Sequence, residues 1–132
     1  MASLSLDWIG DLRFRNSAGS PPIELHSATP NVVSPMQALG YSVMACMAMD
    51  VAHMLQKGRQ DLKAMSVKFD GERATDPPHR YTSIHLHFDV TGEMPSDAVA
   101  RAIQLSHEKY CSVSNSLRPD IDFRTSFTIY HP

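Results

Sequence analysis

The sequence predicts an α+β fold, and three patterns carry that expectation. Apolar and polar residues alternate through Ile84, His85, Leu86, His87, Phe88, Asp89 and Val90, the period of a strand with one buried face. Segment 35–57 is apolar nearly all round and far too long for a strand, so it reads as a helix covered on several sides. The patterns follow in the order three strands, helix, two strands, two helices, strand, with antiparallel hairpins.

Leu4, Leu6 and Trp8 alternate with Ser3, Ser5 and Asp7, which predicts a first strand with one buried face. Gly10-Asp11 is expected as a two-residue turn, after which Leu12 and Phe14 continue the alternation and Arg13 and Arg15 face solvent. The polar run 16–22 reads as a second turn before a short strand at 23–26. Ser34-Pro35-Met36-Gln37 is a helix start: Ser34 caps, Pro35 suits the first helical position and Gln37 completes a capping box. Gly58 marks the stop. Strands are expected at 64–72 and 80–91, joined by Asp76-Pro77-Pro78-His79. Pro95 opens a further helix with Val99, Ala102, Ile103 and Tyr110 on its inner stripe, 111–117 is a short helix, and 121–130 is a final strand.

With 132 residues the chain is expected to form a single domain, 1–132, with a core that needs no disulfide staples. Twelve Lys and Arg against fourteen Asp and Glu give a formal charge of −2, which lacks the basic field that gathers nucleic acid. No basic segment precedes the first apolar stretch, Asp7 interrupts it, and a cytoplasmic location is expected. Segment 38–55 approaches the length of a membrane span, but Asp50 and His53 within it favour a buried helix and no membrane.

Cys46 and Cys111 are the only thiols. Their separation matches no zinc-ribbon or Cys-x-x-Cys spacing, so any partnership between them has to come from the fold. Cys46 lies deep in its helix, beyond the reach of the N-terminal dipole, with Asp50 four residues on to oppose a thiolate. Cys111 would stand at the start of the next short helix, where free amides favour the anion, so local physics makes it the more acidic thiol. Asp50 and His53, one turn apart, suggest an acid–imidazole pair. His85-x-His87 reads as a polar sheet face rather than a metal site, because no clear third ligand joins it. Met36, Met44, Met47, Met49 and Met54 read as adaptable core that would line any pocket opening beside the helix. Lys57, Arg59 and Lys63 read as a solvated helix end.

Ser34-Pro-Met-Gln-Ala-Leu-(x)6-Cys46 resembles the Asn/Ser-Pro-x-Glu/Gln-(x)n-Ala-x-Cys opening of the central helix in OsmC/Ohr proteins, and Tyr110-Cys111-Ser-Val-Ser114 with Leu117 resembles their second motif, Cys-Pro/Ser-Val-Ser. The resemblance is closest to a small bacterial branch of that family. It implies antiparallel sheets packed around a long central helix in an intertwined homodimer, and a thiol peroxidase acting on small-molecule organic hydroperoxides. By the same resemblance Cys46 is the peroxidatic thiol and Cys111 resolves it to a disulfide, which a dithiol or lipoyl reductant reopens. Met36, Gln37 and Met49 are expected to contact the substrate, with no metal and no cofactor. One departure stands out: the family's peroxidases carry a glutamate, paired with an arginine, where this chain has Met36. That departure favours a second reading, a non-catalytic dimer binding an apolar ligand or a protein partner.

Overall fold

The computed structural model describes residues 4–16, 22–27 and 31–132. The chain falls into two compact units, Met1–Leu39 and Gly40–Pro132. In the first, β1 (Asp7–Trp8), β2 (Arg13–Arg15) and β3 (Glu24–His26) form an antiparallel sheet in the order β1-β2-β3. Trp8 pairs with Phe14, and Arg13 with His26. These strands are shorter than the alternation predicts, and the expected buried face stays open: Leu4, Leu6, Trp8, Leu12 and Phe14 are all exposed. Strands of two and three residues present too little surface to cover one another. The first turn also differs, because Gly10 and Asp11 both take positive φ and Leu12 joins them, with Arg13 N donating to Gly10 O at 3.0 Å. Ser3 and residues 17–21 of the expected second turn lie outside the described residues. Asn16 and Ile23 flank that stretch, the Ile23 amide donating to Asn16 Oδ1 at 2.7 Å.

Helix α1 (Pro35–Lys57) has the predicted bounds, and its opening is the predicted capping box. Gln37 N donates to Ser34 Oγ at 3.1 Å and Ser34 N to Gln37 Oε1 at 3.0 Å. The stop is one residue later than glycine chemistry suggests. Arg59, not Gly58, takes the left-handed conformation, at φ 60°, with Gln60 N bonded to Leu55 O and Arg59 N to Gln56 O in a Schellman arrangement.

In the second unit, β4 (Asp61–Arg73), β5 (Tyr81–Glu93) and β6 (Asp122–Tyr130) form a sheet in that order. β4 and β5 are antiparallel, but β6 runs parallel to β5, so this sheet is mixed where antiparallel sheets are expected. The reason is topological: residues 94–121 form a crossover long enough to return the chain in the same direction. Ile84, Leu86, Phe88 and Val90 of β5 are buried to within 1 %. Their register partners Gly71, Phe69, Val67 and Met65 on β4, and Phe123, Thr125, Phe127 and Ile129 on β6, share that face.

Within this unit α1 buries a stripe spaced four apart, Val43, Met47, Val51 and Leu55, each contributing about 1.5–3 kcal/mol of transfer free energy. Gly40 lies against the Phe69 ring, which stands 3.4 Å from where a Cβ would be. The rest of the helix is half-buried or exposed, including Tyr41 and Met49. By length and composition α1 is also apolar enough to cross a membrane. Helix α2 (Ser96–Leu105) buries Val99, Ala102 and Ile103, then widens into a π turn, Ser106–Tyr110, which leaves Tyr110 exposed rather than on the inner stripe. The expected short helix at 111–117 contracts to a 3-10 turn, Ser114–Ser116.

Candidate functional site

A regular helix repeats its faces every 3.6 residues, so Cys46 and Asp50, four apart on α1, project from one side. Cys111 arrives from the end of the π turn, where the backbone swings into extended geometry at φ −73° and ψ 107°. The two thiol sulfurs and an Asp50 carboxylate oxygen all lie within 4.8 Å of one another. The only two thiols, far apart in sequence, are thus neighbours, and no bond joins them. Cys46 is half-buried and Cys111 fully buried.

Polar groups hold the Cys111 side of the cluster. Cys111 N closes the π turn by donating to Ser106 O at 2.7 Å, and Asn115 Nδ2 donates to the carbonyls of both His107 and Cys111. The Ser114 amide donates to Cys111 Sγ at 3.3 Å. That is the anion-favouring contact the sequence suggests, yet it does not prevail. Burial pushes the Cys111 thiol up, the Ser114 hydrogen bonds offset part of the rise, and the adjacent Cys46 adds to it. The expectation that a helix start acidifies Cys111 is therefore corrected: a three-residue 3-10 turn supplies one amide, and desolvation outweighs it.

Asp50 does not pair with His53 as its spacing suggests. Its carboxylate instead accepts a hydrogen bond from the buried Ser106 Oγ at 2.9 Å, while His53 stays exposed. Ser106 is the residue that sequence reasoning missed, although its spacing of three, four and seven residues from Ile103, Ala102 and Val99 continues the buried stripe of α2. Beside the cluster, Asp50, His53, Met54, Lys57, Leu105 and Tyr110 line a cavity of about 470 Å³. Of the expected substrate contacts, Met49 is 70 % exposed on α1, Gln37 is engaged in the capping box, and Met36 is half-buried in the opening turn. Arg13 is bonded to Glu24.

His85 and His87 lie on the outer face of β5 as predicted, joined through β6. Ser126 Oγ stands 2.8 Å from His85 Nε2 and 2.7 Å from His87 Nδ1, and His87 Nε2 is 3.2 Å from Asp89 Oδ1. The pair is consumed by this hydrogen-bonded chain. His107, in the π turn, stacks on Phe123 at 4.2 Å, and burial holds its imidazole below the usual histidine range.

Comparison with known proteins adds four findings. The family model described as OsmC-like protein matches residues 28–126. Protein YhfA of Escherichia coli strain K12 is 37 % identical over 125 residues, covering 92 % of this chain and 93 % of that protein. Among solved structures, a hypothetical protein from Aquifex aeolicus VF5 superposes with a TM-score of 0.91 at 26 % identity, over 100 % of this chain and 98 % of the other. The organic hydroperoxide resistance protein OsmC from Legionella pneumophila superposes with a TM-score of 0.74 at 18 % identity, over 97 % and 98 %, a likeness of fold.

Proposed function

The chain belongs to the OsmC-like protein family, and from that membership we propose that it is a thiol peroxidase reducing organic hydroperoxides. The observation that carries the reading is the meeting of its two thiols within 4.8 Å. The Cys46 thiolate attacks the distal oxygen of the hydroperoxide and the O–O bond breaks. The alcohol leaves with a proton, and Cys46 becomes a sulfenic acid. The Cys111 sulfur then attacks the sulfenic sulfur, a disulfide forms and water departs. Two thiol–disulfide exchanges with a dithiol or lipoyl reductant restore both thiols. Both the order of attack and the organic substrate fit the surroundings: Cys46 is the less buried sulfur, and Met54 and Leu105 give the adjoining cavity apolar walls.

The assembly proposed for this activity is a cytoplasmic homodimer in which a second copy covers the exposed part of α1. The motive is that only the Gly40, Val43, Met47, Val51 and Leu55 stripe of this apolar helix is buried within one chain. Light scattering at micromolar concentration tests it, with about twice 14.7 kDa expected.

Met36 favours a second reading, in which a dimer of this fold binds an apolar ligand or a protein partner without turnover, because a thioether cannot hold an activating guanidinium as a carboxylate does. Stopped-flow mixing with cumene hydroperoxide and with hydrogen peroxide, in the presence of dihydrolipoamide, separates the two. Faster consumption of cumene hydroperoxide supports the peroxidase. No consumption of either transfers the fold to the binding role.

A further inference from the structure

We propose that the reduced Cys46–Asp50–Cys111 cluster is a zinc site, with two thiolates and one carboxylate as ligands and the fourth position left for water or a small ligand. Three observations lead there. The donor atoms already lie within 4.8 Å of one another. Bound to one tetrahedral Zn²⁺, two sulfurs stand about 3.7 Å apart, so the side chains need only small rotations. The donors also come from held elements. Cys46 and Asp50 share one side of a long helix, and Cys111 is fixed by its bond to Ser106 O and by the Asn115 amide on its carbonyl.

Partners that would orient these ligands are in place as well. Ser106 Oγ donates to Asp50 Oδ2 at 2.9 Å and so orients the carboxylate, while the Ser114 amide is placed to donate to a ligating Cys111 sulfur. Two thiolates select zinc over magnesium or calcium, whose preferred ligands are oxygens. Asp50 also lines the 470 Å³ cavity, which gives a small ligand an approach to the carboxylate side of the cluster. Binding is an exchange without redox change: one Zn²⁺ enters, two S–H bonds give way to two Zn–S bonds, and both protons pass to buffer. A disulfide between the same sulfurs abolishes the site. The metal-bound form therefore masks both thiols, but the proposal needs only three side chains and stands apart from the peroxidase reading.

The test is a titration of the fully reduced chain with Zn²⁺ in competition with a chromophoric chelator, repeated after diamide oxidation. One ion per chain that vanishes on oxidation supports the site. Co²⁺ in place of Zn²⁺ should give a near-ultraviolet thiolate charge-transfer band and intense visible bands of tetrahedral geometry. Ser106→Ala should weaken binding about 10- to 100-fold, Asp50→Asn should weaken it further, and a His85→Ala/His87→Ala variant should bind as the parent does. Zinc should also slow the reaction of the thiols with Ellman's reagent, reversibly with chelator, a readout that does not depend on peroxide turnover. The proposal is overturned by binding that survives oxidation, by a Co²⁺ spectrum without the thiolate band, by unchanged affinity in Asp50→Asn, or by loss of the ion in the histidine variant. Absence of stoichiometric binding overturns it equally.

Discussion

Cys46 is carried by an uninterrupted α-helix, whereas Cys111 is carried by a stretch that passes from α to π to extended to 3-10 geometry between residues 105 and 116. The regular element gives its thiol a fixed direction and a carboxylate neighbour four residues on, but spends its backbone amides on its own ladder. The irregular element frees backbone and side-chain donors, which converge on Cys111 and Asp50. Each seat supplies what the other lacks: α1 aims, and the broken segment provides polar contacts.

The sharpest way to break this comparison is to remove each sulfur. With cumene hydroperoxide, Cys46→Ser should abolish consumption. Cys111→Ser should consume about one equivalent per chain and stall as a sulfenic acid that dimedone traps. Equal effects in burst kinetics would make the two seats equivalent. Next in size is the contact joining them. Ser106→Ala deprives the Asp50 carboxylate of its donor and should cost about 1–3 kcal/mol in urea denaturation.

Titration sharpens the contrast from the irregular side. The folded state raises the Cys111 thiol, so in the reduced protein the native form keeps its proton longer than the unfolded form. Stability should therefore fall as pH rises past the ordinary thiol value of about 8.5, and Cys111→Val should flatten that slope. For His107 the folded state lowers the value, so the unfolded form takes up protons first as pH falls. Stability should then be lost as pH drops through about 6.5, a slope that His107→Phe removes in urea melts across acid pH. The smallest effect belongs to the regular side. Arg59 closes α1 in the left-handed conformation, and Arg59→Gly should raise stability by roughly 0.5–1 kcal/mol in thermal melts, the relief exceeding the entropy glycine adds to the unfolded chain.

What was legible in the sequence follows the same division. The bounds of α1 could be read because Ser34 and Gln37 satisfy each other within one turn, and the buried side of β5 because alternation is a local pattern. Both cysteines were marked by their motifs. The parallel pairing of β6, the π insertion, the Arg59 stop and the Ser106–Asp50 bond were not legible. Each is decided by groups distant in sequence or by a shift of one residue, for which composition carries no signal. The acidity expected of Cys111 failed for the same reason, since adjacency to a helix start is local while burial is not.

The π turn also sets a phase. One residue advances a helix by about 100°, so the additional residue held in Ser106–Tyr110 rotates everything downstream by that angle relative to an unbroken helix. Cys111 faces Cys46 because of that offset. Shortening the turn by a single residue, with all named side chains retained, would send the second sulfur to another azimuth and leave each thiol solitary. Register along this segment, as much as residue identity, makes the two cysteines a pair.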